Sequence, residues 1–206
     1  MRIFPFIGIS SIIVVIFISI LVVAFFGGIS LRPEAQLLLT ETKPSSTPAP
    51  LPFADITIPY LRGKNYQSSL GTLEKVSENS NYISYLTSYS SDGFEINGLL
   101  TQPKGEKPSD GWPAIVFVHG YIPPTQYQTL QNYSSYVDFL ARSDFVVFKI
   151  DLRGHAQSEG ESSGAYFSSD YIIDTLSAVS ALQSSNFVNP KGIGLWGHSM
   201  AGNVVM

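Results

Sequence analysis

Cysteine is absent from the 206 residues. Disulfides, thiolate catalysis and cysteine-ligated metals are therefore excluded, although the compartment stays open. Histidine is scarce: His119, His155 and His198 are the whole supply, and no carboxylate stands near them at ligand spacing. No metal and no cofactor is expected. The 12 basic residues form no cluster, and the net charge is -4. That argues against a nucleic-acid partner and against a polybasic membrane patch. Charge is missing altogether between Ile3 and Leu31.

That uncharged stretch is the first feature present. Its densest part, Ile12 to Phe26, is rich in Ile, Val and Phe. About 20 apolar residues span a hydrocarbon core of roughly 30 Å, so the run is long enough to cross a bilayer. A cleaved secretory signal has a shorter apolar region and a small-x-small cleavage site. Here bulky Phe25 and Phe26 stand where a small residue is wanted. The expectation is an uncleaved transmembrane signal anchor over residues 1–31. Arg2 precedes it and Arg32 follows it, which leans towards a cytoplasmic N-terminus with the rest of the chain outside. Residues 32–54 contain a Pro/Ser/Thr-rich stretch that reads as a spacer. Residues 55–80 read as irregular, with a short helix near Gly71 to Val76.

Order becomes legible from residue 81. Asn81 to Ser90 alternates Tyr, Ile, Leu and Ser, the pattern of a strand. Ser91-Asp92-Gly93 is a turn signal, and Phe94 to Thr101 suits a return strand. Three continuous apolar runs follow: Ala114 to Val118, Phe145 to Ile150, and Gly192 to Trp196. Such runs mark strands buried on both faces, as in a parallel sheet. Between them, Tyr133, Tyr136, Val137 and Leu140 hold helical spacing, as do Ile172, Leu176, Val179 and Leu182, with Ser168 or Ser169 as an N-cap. The alternation predicts a doubly wound, mostly parallel α/β sheet.

Ligands bind such sheets beyond the carboxyl ends of the strands, and three motif-like segments fall there. The first is Gly197-His198-Ser199-Met200-Ala201-Gly202. A serine hydroxyl is a weak nucleophile that needs exposure and an adjacent base. A sharp strand-to-helix turn, the nucleophile elbow, supplies the exposure and demands small flanking residues. Gly197 provides one; on the far side Ala201 stands where Gly is usual, with Gly202 next. The second segment is His119-Gly120-Tyr121. A tetrahedral oxyanion needs backbone N–H donors, here expected from Met200 and Tyr121. His119 is expected to hold the loop by hydrogen bonding. The third segment, Asp151 to Gly160, is expected to be a hydrogen-bonded scaffold loop rather than a catalytic or metal-binding one.

Taken together, the runs GWPAIVFVHGY, DLRGHAQSEG and GLWGHSMAG resemble α/β-hydrolases of the prolyl oligopeptidase and serine aminopeptidase type. The resemblance covers about residue 81 to the chain end. It implies a serine hydrolase acting on a small-molecule ester or peptide, with Ser199 as nucleophile and Tyr121 and Met200 as oxyanion donors. Ala156 stands where relatives carry Gly, a mild departure, and no β-propeller precedes the catalytic part.

The expected triad order on this fold is Ser, then Asp or Glu, then His. Seven residues follow Ser199, and none is Asp, Glu or His. The expectation is therefore a fragment of a longer, membrane-anchored hydrolase, inactive by itself, with an unpaired edge at the third apolar strand. The rival expectation is a non-catalytic, membrane-anchored binding or scaffold protein.

Overall fold

A computed structural model describes residues 52–162, 166 and 168–206. The expected anchor over 1–31 and nearly all of the expected spacer lie outside these residues. Among the described residues no helix is long and apolar enough to cross a membrane.

The segment that read as irregular contains a 3-10 turn, Ala54–Ile56, and a short helix α1, Ile58–Gly63, capped by the Thr57 side chain. The helix expected near Gly71 to Val76 does not form. In its place is strand β1, Glu74–Glu78, paired antiparallel with β2, Tyr82–Ser91. Five residues rich in Glu and Lys have weak strand propensity, and a partner strand decides their conformation. β1 is exposed throughout and charged, which suits an edge strand protected from further pairing.

β2 and β3, Phe94–Pro103, form the expected hairpin, in continuous register from Tyr82↔Pro103 to Ser91↔Phe94. The apolar runs become β4, Trp112–Val118, β5, Val146–Ile150, and β6, Val188–Gly197. Sheet order is β1-β2-β3-β5-β4-β6. β4 pairs parallel with both β5 and β6, whereas β3 pairs antiparallel with β5. The sheet is mixed, with β2, β4, β5 and β6 running the same way.

Helices cover both faces. On one, α2, Ser134–Ala141, packs Val137 and Ala141 against Phe117 and Val147. On the other, α3, Asp170–Gln183, packs Ala178, Ala181 and Leu182 against Val116, Val118 and Phe148. Ser168 Oγ accepts the Asp170 N–H at the start of α3, while Ser169 Oγ donates to Asp55 O. A final short helix, α4, Ala201–Val204, joins the α3 face. The chain leaves β4 for one face and leaves β6 for the other. These adjacent parallel strands therefore form a topological switch point, and a crevice opens beyond their carboxyl ends. The loops there carry Gly120 and Ser199.

Candidate active site

Ser199 sits between β6 and α4 with φ 55°, in the left-handed region. A non-glycine residue there is strained, and such strain persists where the surroundings over-determine it. The source is close packing of the strand end on the helix start. A Cβ added to Gly197 would lie 2.5 Å from Ala201 O. Ala201 is fully buried, so its methyl fits where glycine is usual. Ser199 itself is exposed, and its Oγ makes no hydrogen bond with another described residue. The geometry is that of an elbow presenting a hydroxyl outward.

The second element is the loop after β4. Gly120 lies directly under the elbow: a Cβ there would meet Tyr133 Oη at 2.8 Å and His198 O at 2.9 Å. The Gly120 N–H donates to Tyr133 Oη at 3.0 Å. The backbone N–H groups of Tyr121 and Met200 have no acceptor among the described residues. They are the donors singled out in the sequence. Tyr121's side chain is largely exposed, and Met200's is buried in the core.

His119 is fully buried. Its Nδ1 lies 2.8 Å from Gly120 O, so this nitrogen carries the proton and donates, and Nε2 has no partner among the described residues. Burial pushes its pKa down to about 3, partly offset by the bond to Gly120 O. A neutral ring stacked on Tyr127 at 4.3 Å and set edge-on to His155 at 4.8 Å is a packing group that holds the loop.

Beneath the loop is a buried polar cluster that the sequence did not signal. Lys149 lies in the apolar run of β5, and all its neighbours along that strand are buried with it. Its Nζ donates to Tyr127 Oη at 3.3 Å, to Thr129 O and to Asn132 O at 3.0 Å. Asp151, at the strand's end, accepts from Tyr127 Oη at 2.6 Å and from Thr129 Oγ1. Burial pushes Lys149 down to about 8 and Asp151 up to about 6. One residue of β5 and one just past its end thus pin the segment between Gly120 and α2. The only hint in sequence was a lysine inside an otherwise apolar run.

The third motif is a scaffold loop. Gly154 N–H bonds Glu159 O, His155 N–H bonds Leu152 O, and Glu159 N–H bonds Glu95 O. Arg153 pairs with the fully buried Asp174 of α3 at 2.7 Å and with Asp170 at 3.1 Å, and lies 5.3 Å from the Phe94 ring centroid. Asp151 and His155 are buried inside this framework. Among the described residues no cluster of His and carboxylates could hold a metal ion. A groove of about 870 Å³ is lined by Gly71, Leu86, Asn97 and Asp151 but by none of Ser199, Tyr121 and Met200. Size alone does not mark it as the reaction site.

Sheet order, switch point and elbow are similar to those of the α/β-hydrolase fold. Residues 112–206 match the family model described as "Serine aminopeptidase, S33". The fold is also similar to that of an acetyl xylan esterase from Paenibacillus sp. R4, at 20% identity and TM-score 0.54, over 69% of this chain and 49% of that one. A mutant of the rice cell wall degrading esterase from Xanthomonas oryzae is similar at 20% identity and TM-score 0.50, over 66% of this chain and 43% of that one. The chain thus spans about half the length, or less, of these two esterases.

Proposed function

We propose that Ser199 is the nucleophile of a serine hydrolase that cleaves ester or peptide bonds through an acyl-enzyme. One observation carries the reading: an exposed serine held at φ 55° between a parallel strand and a helix, in a loop pair that leaves the Tyr121 and Met200 N–H groups without an acceptor among the described residues. In acyl transfer Ser199 Oγ attacks the carbonyl carbon, and the oxygen that gains charge is stabilised by those two donors. Esterases among the structural neighbours make an ester the first substrate class to test.

The base is the missing element of this reading. His119 and His155 are buried, and each is committed through Nδ1 to a backbone carbonyl, of Gly120 and Arg153 respectively. His198 Nδ1 is engaged by Tyr133. On this proposal the general base and its carboxylate come from polypeptide beyond Met206 in a longer protein, and the 206 residues alone do not turn over substrate. The uncharged run from Ile3 to Leu31 supports a further part of the reading, a single-pass anchor with the hydrolase outside the cytoplasm.

A fluorophosphonate probe applied to the full-length protein tests the core of the proposal. Labelling is expected at Ser199 and should vanish in Ser199→Ala. Absence of label from a protein shown to be folded overturns the reading. Turnover by the 206-residue chain that disappears in Ser199→Ala would overturn the external base. Extraction of the protein by alkaline carbonate would count against the membrane anchor.

A further inference from the structure

The two N–H donors proposed above belong to different elements. Tyr121 follows β4, and Met200 opens α4. An oxyanion site works only if both donors meet one oxygen, so whatever fixes the gap between the elements matters. Two backbone links do part of this: the pairing Val118↔Gly197 and a long 3.4 Å bond from His198 N–H to Val118 O. The remaining link is a side chain.

Tyr133 Oη accepts the Gly120 N–H at 3.0 Å and lies 2.9 Å from His198 Nδ1. The direction of the second bond follows from the first. A backbone N–H can only donate, so the phenol oxygen accepts from Gly120 and keeps its own proton to give. Nδ1 of His198 is the available acceptor. The ring proton of His198 then sits on Nε2. The reverse arrangement, with Nδ1–H donating to the phenol, leaves the Tyr133 proton with no partner among the described residues. Tyr133 is placed at this point under strain, with φ 63° at the residue that caps α2. Its ring is fixed edge-on against Phe117 at 5.4 Å, and His198 lies parallel to Trp196 at 6.3 Å. A bulky residue keeps such a backbone only where its surroundings hold it there.

We propose that the Tyr133 hydroxyl is a positioning bridge. It ties the loop bearing Tyr121 to the elbow bearing Ser199, holds His198 as the Nε2–H tautomer, and sets the gap between the two oxyanion donors. The bridge stands on geometry alone, while its effect on rate rests on the hydrolase reading. Tyr133→Phe removes one oxygen and keeps the ring. His198→Asn offers an amide oxygen in place of Nδ1, and His198→Leu offers none.

The test has two arms. In the first, the full chain in detergent is examined by nitrogen NMR with the histidine rings neutral, and by amide hydrogen exchange. His198 is expected as the Nε2–H tautomer. Gly120 exchange is expected to rise at least about tenfold in Tyr133→Phe and His198→Leu but not in His198→Asn, since the loop then opens without its tie. An Nδ1–H tautomer in the unmodified chain, or equal Gly120 exchange in all four proteins, overturns the bridge. In the second arm, the rate of Ser199 phosphonylation is measured in the full-length protein. Tyr133→Phe and His198→Leu are expected to slow it about tenfold or more, with His198→Asn within about threefold, since losing a whole oxyanion donor costs roughly 100- to 1,000-fold. Unchanged rates in Tyr133→Phe overturn the positioning role. If the unmodified protein is not phosphonylated at all, the hydrolase reading fails, and the first arm still decides the bridge.

Discussion

Two glycines near Ser199 do opposite things, and the contrast explains why the elbow tolerates Ala201. A methyl on Gly197 would run into backbone, at 2.5 Å from Ala201 O, whereas a methyl on Gly202 would meet nothing within 4 Å. Gly197→Ala is therefore expected to destabilise by roughly 1–3 kcal/mol, the range for overpacking. Gly202→Ala is expected to be neutral or stabilising by up to about 1 kcal/mol, the difference in helix propensity. Urea unfolding of the two variants checks both signs; equal effects would show that packing at the strand end does not shape the turn. His119 belongs to the same scale. Its neutrality follows from burial, which outweighs the opposing bond to Gly120 O.

At the scale of elements, β5 does more than fill the sheet. Lys149 in the strand and Asp151 just past its end grip the segment that links β4 to α2 through Tyr127, Thr129 and Asn132. Removing one charge of a buried set leaves the other uncompensated, at roughly 3–5 kcal/mol. Lys149→Met is expected to cost about that much, and the double variant Lys149→Met/Asp151→Asn less than the two single losses added together. A double-mutant cycle by denaturant unfolding measures this coupling, and strict additivity would rule out a shared network. The hydrophobic pattern announced β5 as a buried strand. It could not announce this grip, because the partners come from a loop that carries no periodicity.

At the scale of the molecule, these buried groups set the response to pH. Lys149 has a folded pKa lowered to about 8 from 10.5. Between those values the unfolded chain binds more protons, so stability is expected to rise with pH across that window. Lys149→Met should flatten the rise. In acid, His119 and Asp151 oppose one another. His119, lowered to about 3 from 6.5, makes stability fall as pH drops through that range. Asp151, raised to about 6 from 3.8, makes it increase as pH drops from 6 towards 4. A shallow acid limb is expected down to about pH 4, steepening below it, where only the histidine still acts. Unfolding free energy measured across pH 3 to 10 would reveal the shape. The sheet edges make a further prediction. β1 is guarded by Glu74, Lys75 and Glu78, whereas among the described residues β6 pairs only with β4 and leaves Leu195 40% exposed. An unguarded edge templates association, so the chain is expected to self-associate, and Leu195→Lys to reduce it. Light scattering on the two proteins decides; an unchanged mass distribution would clear β6 of that role.

Periodicity and local chemistry by themselves determined the hairpin, the three parallel strands, the two long helices, and Ser199 at a strand-to-helix turn, although the third strand is a half-exposed edge and not buried on both faces. Each of these rests on residues close together in the chain, where alternation, helical spacing and small flanking residues act directly. Tertiary structure decided the rest. Glu74–Glu78 became a strand because β2 offered it an edge, and Lys149 became a clamp because the loop folds back over it. Tyr133 came to join Gly120 to His198, which lies 65 residues further along the chain than Tyr133 itself. Contacts of that kind depend on which elements the sheet order brings together, and no local pattern records the distance between two loops.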